Sequence, residues 1–183
     1  MKQIIIPALP RPTLAELKKK YSWIKSIERD TSETKEVKLS LISVLKKGED
    51  YISGKEYEKR MPKGLLGFQH LEWFIEHQSE FPELLEQAND NNFWYIDFLG
   101  LVVVLDSGRR CVPYGCQNGK RWYAYWHWLS SGFGQYGRVA VSGQVAKPRT
   151  LGSSRNLDSL GLVKRVAELE KWREKVEKII KIQ

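Results

Sequence analysis

Apolar residues recur with the spacing of a helix near the start of the chain. Thr13 and Glu16 form a capping-box pattern, in which the two side chains satisfy free amides of the first helical turn. The apolar positions that follow are three or four residues apart, as one face of a helix requires: Leu14, Leu17, Tyr21, Ile24 and Ile27. The pattern predicts a helix that runs to about Arg29, preceded by an extended arm over residues 1–12.

Three further helices and one strand are predicted before the middle of the chain. Ser53 and Glu56 repeat the capping-box pattern at the start of a short helix. Residues 67–79 form an amphipathic helix, and Pro82 fits the first turn of another short one. Residues 36–45 alternate with period two and then slip, so a bulged strand competes with a helix, and we favour the strand.

The following stretch predicts strands joined by tight turns. Residues 93–105 are too aromatic and β-branched for a helix, and residues 106–109 have the composition of a hairpin turn. Asn118-Gly119 predicts a type I′ turn, because both central positions of that turn need a positive φ. Two hairpins in series predict a three-stranded antiparallel meander, with residues 138–141 as a fourth strand.

The Asn118-Gly119 loop also predicts which residues share a face of the second hairpin. One face carries flat rings and cations: Arg110, Val112, Tyr114, Cys116, Arg121, Tyr123, Tyr125 and His127. The other face sets large residues opposite small ones, as packed faces do: Trp122 with Gly115, Ala124 with Pro113, and Trp126 with Cys111. The same register places Leu101, Val103 and Leu105 on the first face, so helices compete with solvent for it.

The rest of the chain predicts a linker and a last helix. Residues 142–157 are polar and basic, and Asp158 can cap a helix over residues 158–183, which packs on the domain or forms a short dimer coil. The predicted fold is α+β: an antiparallel β-meander of three to four strands packed with several helices, and a long C-terminal helix. The globular part is expected over residues 13–141.

Composition narrows the class of partner. The 183 residues are 42% hydrophobic and carry a net charge of +8, with a pI near 9.4. A basic chain favours nucleic acid first and an anionic membrane surface second. The apolar run at residues 4–6 is broken by Pro7 and Pro10, so it predicts neither a spanning helix nor a signal peptide. We expect a cytoplasmic protein that binds no membrane.

Charge is divided sharply between two adjacent blocks. Residues 64–106 hold eight acids and no Lys or Arg, whereas residues 107–157 hold eight bases and no Asp or Glu. The second block also carries eight of the 21 aromatic residues. A basic, acid-free, aromatic stretch is typical of a nucleic-acid surface, although a sheet rim paired with acidic helices has the same composition. The predicted binding residues are Arg109, Arg110, Tyr114, Lys120, Arg121, Tyr123, Tyr125, His127 and Arg138.

Catalytic and metal chemistry have weak support in the sequence. Cys111 and Cys116 lie about 16 Å apart along a regular strand, too far for a disulfide, and free thiols suit a reducing compartment. No spacing of His and Cys suggests a metal site, and no cofactor motif is present. His127 is the one weak catalytic candidate, as an acid–base group for RNA cleavage beside Arg110 and Arg121. Asp97, inside a predicted strand, has no carboxylate beside it for a metal.

Several short motifs follow one another over about residues 37–141: Ile52-Ser53-Gly54, Gly67-Phe68-Gln69-His70 with Glu72, His77-Gln78-x-x-Phe81-Pro82, and Val112-Pro113. In this order they resemble a family of small, uncharacterised bacterial proteins. The resemblance implies no activity, because the family has none assigned.

Three functions therefore compete. The first is a non-enzymatic domain that binds RNA or single-stranded DNA through the basic aromatic hairpin. The second is a protein-interaction or assembly module, in which the acidic helices of one subunit meet the basic block of another. The third is a metal-independent ribonuclease that uses His127.

Overall fold

Strands outnumber helices in the computed structural model, which describes residues 3–143. The strands are β1 (Ile5–Ile6), β2 (Ile24–Asp30), β3 (Val37–Ile42), β4 (Tyr51–Ile52), β5 (Tyr95–Asp97), β6 (Leu101–Leu105), β7 (Arg110–Asn118), β8 (Arg121–Trp128), β9 (Phe133–Gly134) and β10 (Gly137–Gly143). The helices are α1 (Leu14–Lys20), α2 (Gly54–Lys59), α3 (Phe68–His77) and α4 (Glu83–Asp90), with a 3-10 turn over Gln78–Glu80. The predicted linker beyond residue 143 and the predicted C-terminal helix lie outside the described residues.

Eight of these strands form one mixed sheet, so the prediction of an antiparallel meander of three to four strands is wrong. The order is β1-β3-β10-β5-β7-β6-β2, and β8 pairs with β7. β5 and β6 follow one another along one side of β7, and β8 runs along the other. The expected meander is only the centre of this sheet, because β10 joins β5 in parallel and brings β3 and β1 with it.

The first helix is shorter than predicted, because its second half is strand β2. The capping box is confirmed: the Glu16 amide donates to Thr13 Oγ1 at 3.3 Å, and the Thr13 amide donates to Glu16 Oε2 at 2.7 Å. Ile24 and Ile27, three residues apart, suggested a helix. In the structure the pairing of β2 with β6 shifts twice, between Ile24 and Ser26 and again after Ile27. These irregularities let residues of helical spacing pack into one core.

The hairpin of β7 and β8 turns at different residues from those predicted. Asn118 pairs with Arg121, so the two-residue loop is Gly119-Lys120. Gly119 has a φ of +62°, whereas Asn118 does not have a positive φ. A positive φ at the first loop position alone suits a type II′ turn rather than type I′. The register moves by two residues, and because side chains alternate with period two, the membership of each face is unchanged.

Helices cover one side of the sheet. Apolar residues of α3 and α4 pack with Trp122, Ile96 and Phe93, and α1 packs beside Phe68 of α3. On the other side a smaller core lies under α2, β4 and β9, with Tyr57 and Phe133 among its members. Of the helices in residues 3–143, none is both long and apolar enough to cross a membrane.

Candidate nucleic-acid interface

Four tyrosines, one cysteine and one histidine share the side of the sheet that α3 and α4 leave uncovered. The pairs Tyr95 with Cys116, Cys116 with Tyr123, and Tyr114 with Tyr125 place these residues on one side of three neighbouring strands. We call this surface the tyrosine face, and it consists of Tyr95, Tyr114, Cys116, Tyr123, Tyr125 and His127.

The end of the tyrosine face nearest the turn is open to solvent. Tyr123 is 42% exposed and Tyr125 is 45% exposed, two positions apart on β8. The Tyr125 ring lies 5.8 Å from the Tyr114 ring at an interplanar angle of 35°. Lys120 and Arg121 are exposed beside them. Solvent-accessible rings and cations therefore occur together at this end.

The opposite end of the same side is covered. The segment from β4 to α2, together with β9, packs over Val112 and Val139. Leu101, Val103 and Leu105 were expected on this same face, but Val103 pairs with Cys111 and all three pack on the helix side. The apolar residues that would have attracted helices to the tyrosine face lie on the opposite side of the sheet.

A buried carboxylate lies where the covered and open parts meet. Asp97 on β5 is 1% exposed, and its Oδ2 accepts a hydrogen bond from the Tyr57 hydroxyl at 3.1 Å. Its Oδ1 lies 3.6 Å from His127 Nδ1. Burial raises the pKa of Asp97, and the contacts with His127 and Tyr57 oppose that rise. Asp97 and His127 thus form an acid–imidazole pair beneath the tyrosine face.

The phenols around this pair are held in their neutral form. Burial raises the pKa of Tyr95 and of Tyr114, and it raises the pKa of Tyr57 far above its usual value. The Tyr95 hydroxyl also accepts a hydrogen bond from the Gly134 amide at 3.0 Å. Neutral phenols present no negative charge to a phosphate, so these rings can approach a polyanion.

Three of the predicted binding arginines are not available at the open end of the tyrosine face. Arg110 is held by carboxylates, at 2.6 Å from Glu28 and 2.7 Å from Glu58. The Arg138 guanidinium lies 5.1 Å from the Phe93 ring, on the helix side, and donates to backbone carbonyls. Arg109 is exposed and stacks at 4.3 Å on Trp128, whose side chain alternates away from the tyrosine face.

The acidic block does not neutralise the basic one within the described part of the chain. Among residues 3–143, no ion pair joins a carboxylate of residues 64–106 to a Lys or Arg of residues 107–143. Glu72 instead pairs with Lys20 of α1, whose pKa is raised by that contact. The remaining bases of the block, Lys147, Arg149 and Arg155, lie outside the described residues.

Neither cysteine of the described residues is placed as a nucleophile for His127. Both cysteines are free thiols, and burial raises the pKa of each, that of Cys111 to about 11. Cys116 lies four residues along β7 from Val112, the partner of His127, so about 13 Å of strand separates the two positions. Arg121 is six residues from His127, about 20 Å along the strand. Within residues 3–143, no three His, Cys, Asp or Glu side chains cluster as metal ligands.

Sequence reasoning missed the partners of His127. A carboxylate between Ile96 and Phe98 signalled an unusual position, but nothing local linked Asp97 to a histidine thirty residues later or to Tyr57. Tyr95 was also missed, because its contact with the hairpin depends on the β5–β7 register.

No protein-family model, curated protein or solved structure matches this chain. The resemblance to a bacterial family of unassigned activity therefore stays a prediction.

Proposed function

We propose that this protein binds single-stranded nucleic acid, RNA or DNA, through the open end of the tyrosine face. The observation that carries the proposal is the exposure of Tyr123 and Tyr125, two neighbouring rings on one strand beside Arg121 and Lys120. Tyrosine rings stack on unpaired bases of any sequence, and each stacked base contributes about 1–3 kcal/mol. Duplex bases are already stacked on one another, so we expect single strands to bind more tightly.

Charge supports the same ligand. The chain has a net charge of +8, and the two cations next to the exposed rings have no carboxylate partner among the described residues. Phosphate contacts by Lys and Arg release counterions, so the affinity falls as salt rises. The neutral phenols of Tyr95 and Tyr114 add no repulsion. Rings that stack on bases and cations that contact phosphates are sufficient for a non-enzymatic binding role.

The test is fluorescence anisotropy with labelled single-stranded RNA, single-stranded DNA and duplex. We expect both single strands to bind more tightly than duplex, with affinity falling steeply between about 50 and about 200 mM salt. The double variant Tyr123→Ala/Tyr125→Ala should weaken binding by roughly tenfold or more, since it removes two stacking rings.

Two matched controls separate stacking from a general surface effect. The double variant Tyr123→Phe/Tyr125→Phe keeps both rings and should retain affinity. Trp94→Ala removes a 54% exposed ring that stacks on Tyr136, outside the tyrosine face, and should leave affinity unchanged. No binding at low salt, or binding that salt does not weaken, would contradict the proposal.

Self-association through opposite charges is the second candidate. The acidic residues of α3 and α4 lie on the side of the sheet away from the tyrosine face, so a carboxylate-rich side and a base-bearing side are available to different copies. Light scattering should then show a mass that falls as salt rises. A monomer at every salt concentration would refute this version.

We propose the cytoplasm as the compartment. The support is the pair of free thiols, Cys111 and Cys116, which stay reduced there. Proteins recovered from fractionated cells should carry both thiols in alkylatable form under denaturing conditions. Recovery in an exported fraction would contradict the assignment.

A further inference from the structure

A cavity of about 290 Å³ opens at the inner end of the tyrosine face. Tyr95, Tyr114, Cys116, His127 and Gly132 line it. Its volume lies near the lower limit for pockets that hold small organic ligands. The walls are mostly flat rings, and the His127 ring lies 5.5 Å from the Tyr114 ring and 6.3 Å from the Tyr95 ring. Such a cavity suits one planar, uncharged group.

His127 is oriented by the carboxylate behind it. Its Nδ1 is buried and points toward Asp97 Oδ1, 3.6 Å away. Since the imidazole also lines the cavity, Nε2 is the nitrogen that remains on the cavity side. The Tyr57 hydroxyl fixes the other oxygen of Asp97 at 3.1 Å. The distance between Nδ1 and Oδ1 exceeds that of a hydrogen bond, and such contacts commonly shorten when a ligand binds.

The carboxylate also selects the tautomer of a neutral His127. An ionised Asp97 can only accept a hydrogen bond, so it favours the proton on Nδ1. Nε2 then carries a lone pair toward the cavity and acts as an acceptor. A ligand that reaches Nε2 is therefore preferred if it presents an N–H or O–H donor.

We propose that this cavity holds one unstacked base of the bound strand and that His127 Nε2 accepts a hydrogen bond from an exocyclic amino group, as in cytosine or adenine. The inference rests on the proposed nucleic-acid binding and adds base selectivity to it. The exocyclic group of a pyrimidine lies at the end of the base away from the sugar, so it reaches deepest when the strand stays outside. Uracil presents a carbonyl oxygen there, and two acceptors would then meet.

The test compares oligocytidine with oligouridine RNA of about twelve nucleotides, a length in the range of known single-strand sites. Above neutral pH, the wild-type protein should bind oligocytidine roughly three- to tenfold more tightly, the range of one neutral hydrogen bond. Asp97→Asn should invert this preference. Its amide can donate to Nδ1 and move the proton to Nε2, which then donates to the uracil carbonyl.

Two further variants separate this mechanism from a change in folding. Tyr57→Phe removes the other hydrogen bond to Asp97 without altering the proton on His127, so the preference for oligocytidine should persist. Cys116→Phe places a ring in the cavity and should abolish the preference, while Tyr123 and Tyr125 still support binding of both RNAs. Circular dichroism and urea unfolding establish that each variant is folded.

The outcomes distinguish the two proposals. If the wild-type protein binds neither RNA, nucleic-acid binding itself is refuted. If it binds both equally and neither Asp97→Asn nor Cys116→Phe changes their ratio, only the base pocket is refuted. Cleavage of the RNA that His127→Gln abolishes would also overturn the pocket's assigned role, because His127 would then be an acid–base catalyst.

Discussion

The two sides of the β7–β8 hairpin carry three large aromatic residues each, and they differ in what covers them. The helix side carries Trp122, Trp126 and Trp128, whereas the other carries Tyr114, Tyr123 and Tyr125. Trp122 is 2% exposed beneath α3, while Tyr123, its neighbour in the chain, is 42% exposed. Tryptophan contributes the larger apolar area to a core, and tyrosine presents an apolar ring with a polar tip to water. The contrast gives Trp122 a structural role and supports the proposed recognition role of Tyr123, although Trp128 at the far end of the helix side is itself 48% exposed.

The largest expected effect is the difference in stability between two variants that each remove one ring, one on each side of the hairpin. Trp122→Ala should lower the free energy of unfolding by about 3–5 kcal/mol, because it leaves a cavity between Phe74 and Phe93. Tyr123→Ala, the matched variant on the open side, should change the free energy of unfolding by no more than about 0.5 kcal/mol. Urea unfolding measures both. Similar losses for the two variants would remove the distinction between the sides.

The second-largest effect concerns His70, a buried histidine of α3. Burial lowers the pKa of His70 to about 4, and its Nδ1 accepts a hydrogen bond from the Gly67 amide at 3.1 Å. The unfolded chain protonates this histidine near pH 6.5, so it binds more protons than the folded chain between pH 6.5 and about 4. The stability should therefore be complete above that window and fall by up to about 3 kcal/mol as pH decreases through it.

Urea unfolding as a function of pH tests this expectation. His70→Gln can still accept from the Gly67 amide, and it should flatten the pH dependence in that window. An unchanged slope in His70→Gln would show that another group titrates there.

The smallest effect compares two arginines of the hairpin. Arg110→Ala should reduce the free energy of unfolding by about 1 kcal/mol, since partly exposed ion pairs with Glu28 and Glu58 are lost, and high salt should diminish the difference. Arg121→Ala should leave unfolding unchanged and weaken oligonucleotide binding. Equal effects of the two variants on binding would place Arg110 in the recognition surface after all.

Local signals predicted local structure well. The Thr13 capping box, the helix at α3 and the strand at β3 depend on neighbours a few residues away, and each occurs in the structure. The composition of each side of β7 and β8 was also predicted, although the turn was misplaced, because a two-residue slip preserves alternation. The end of α1 was not predictable from spacing alone, since irregular pairing gave β2 an apparent helical period.

The sequence by itself determined that a basic, aromatic hairpin has one side of tyrosines and one packing side of tryptophans, since alternation in a strand is a local property. Only the tertiary structure decided which cations remain available, because Arg110 meets Glu28 and Glu58 across 82 and 52 residues of chain. It also brought Asp97 beneath His127, through the pairing of β5 and β8 with the same central strand. Contacts between distant residues depend on strand order and register, which no local pattern specifies.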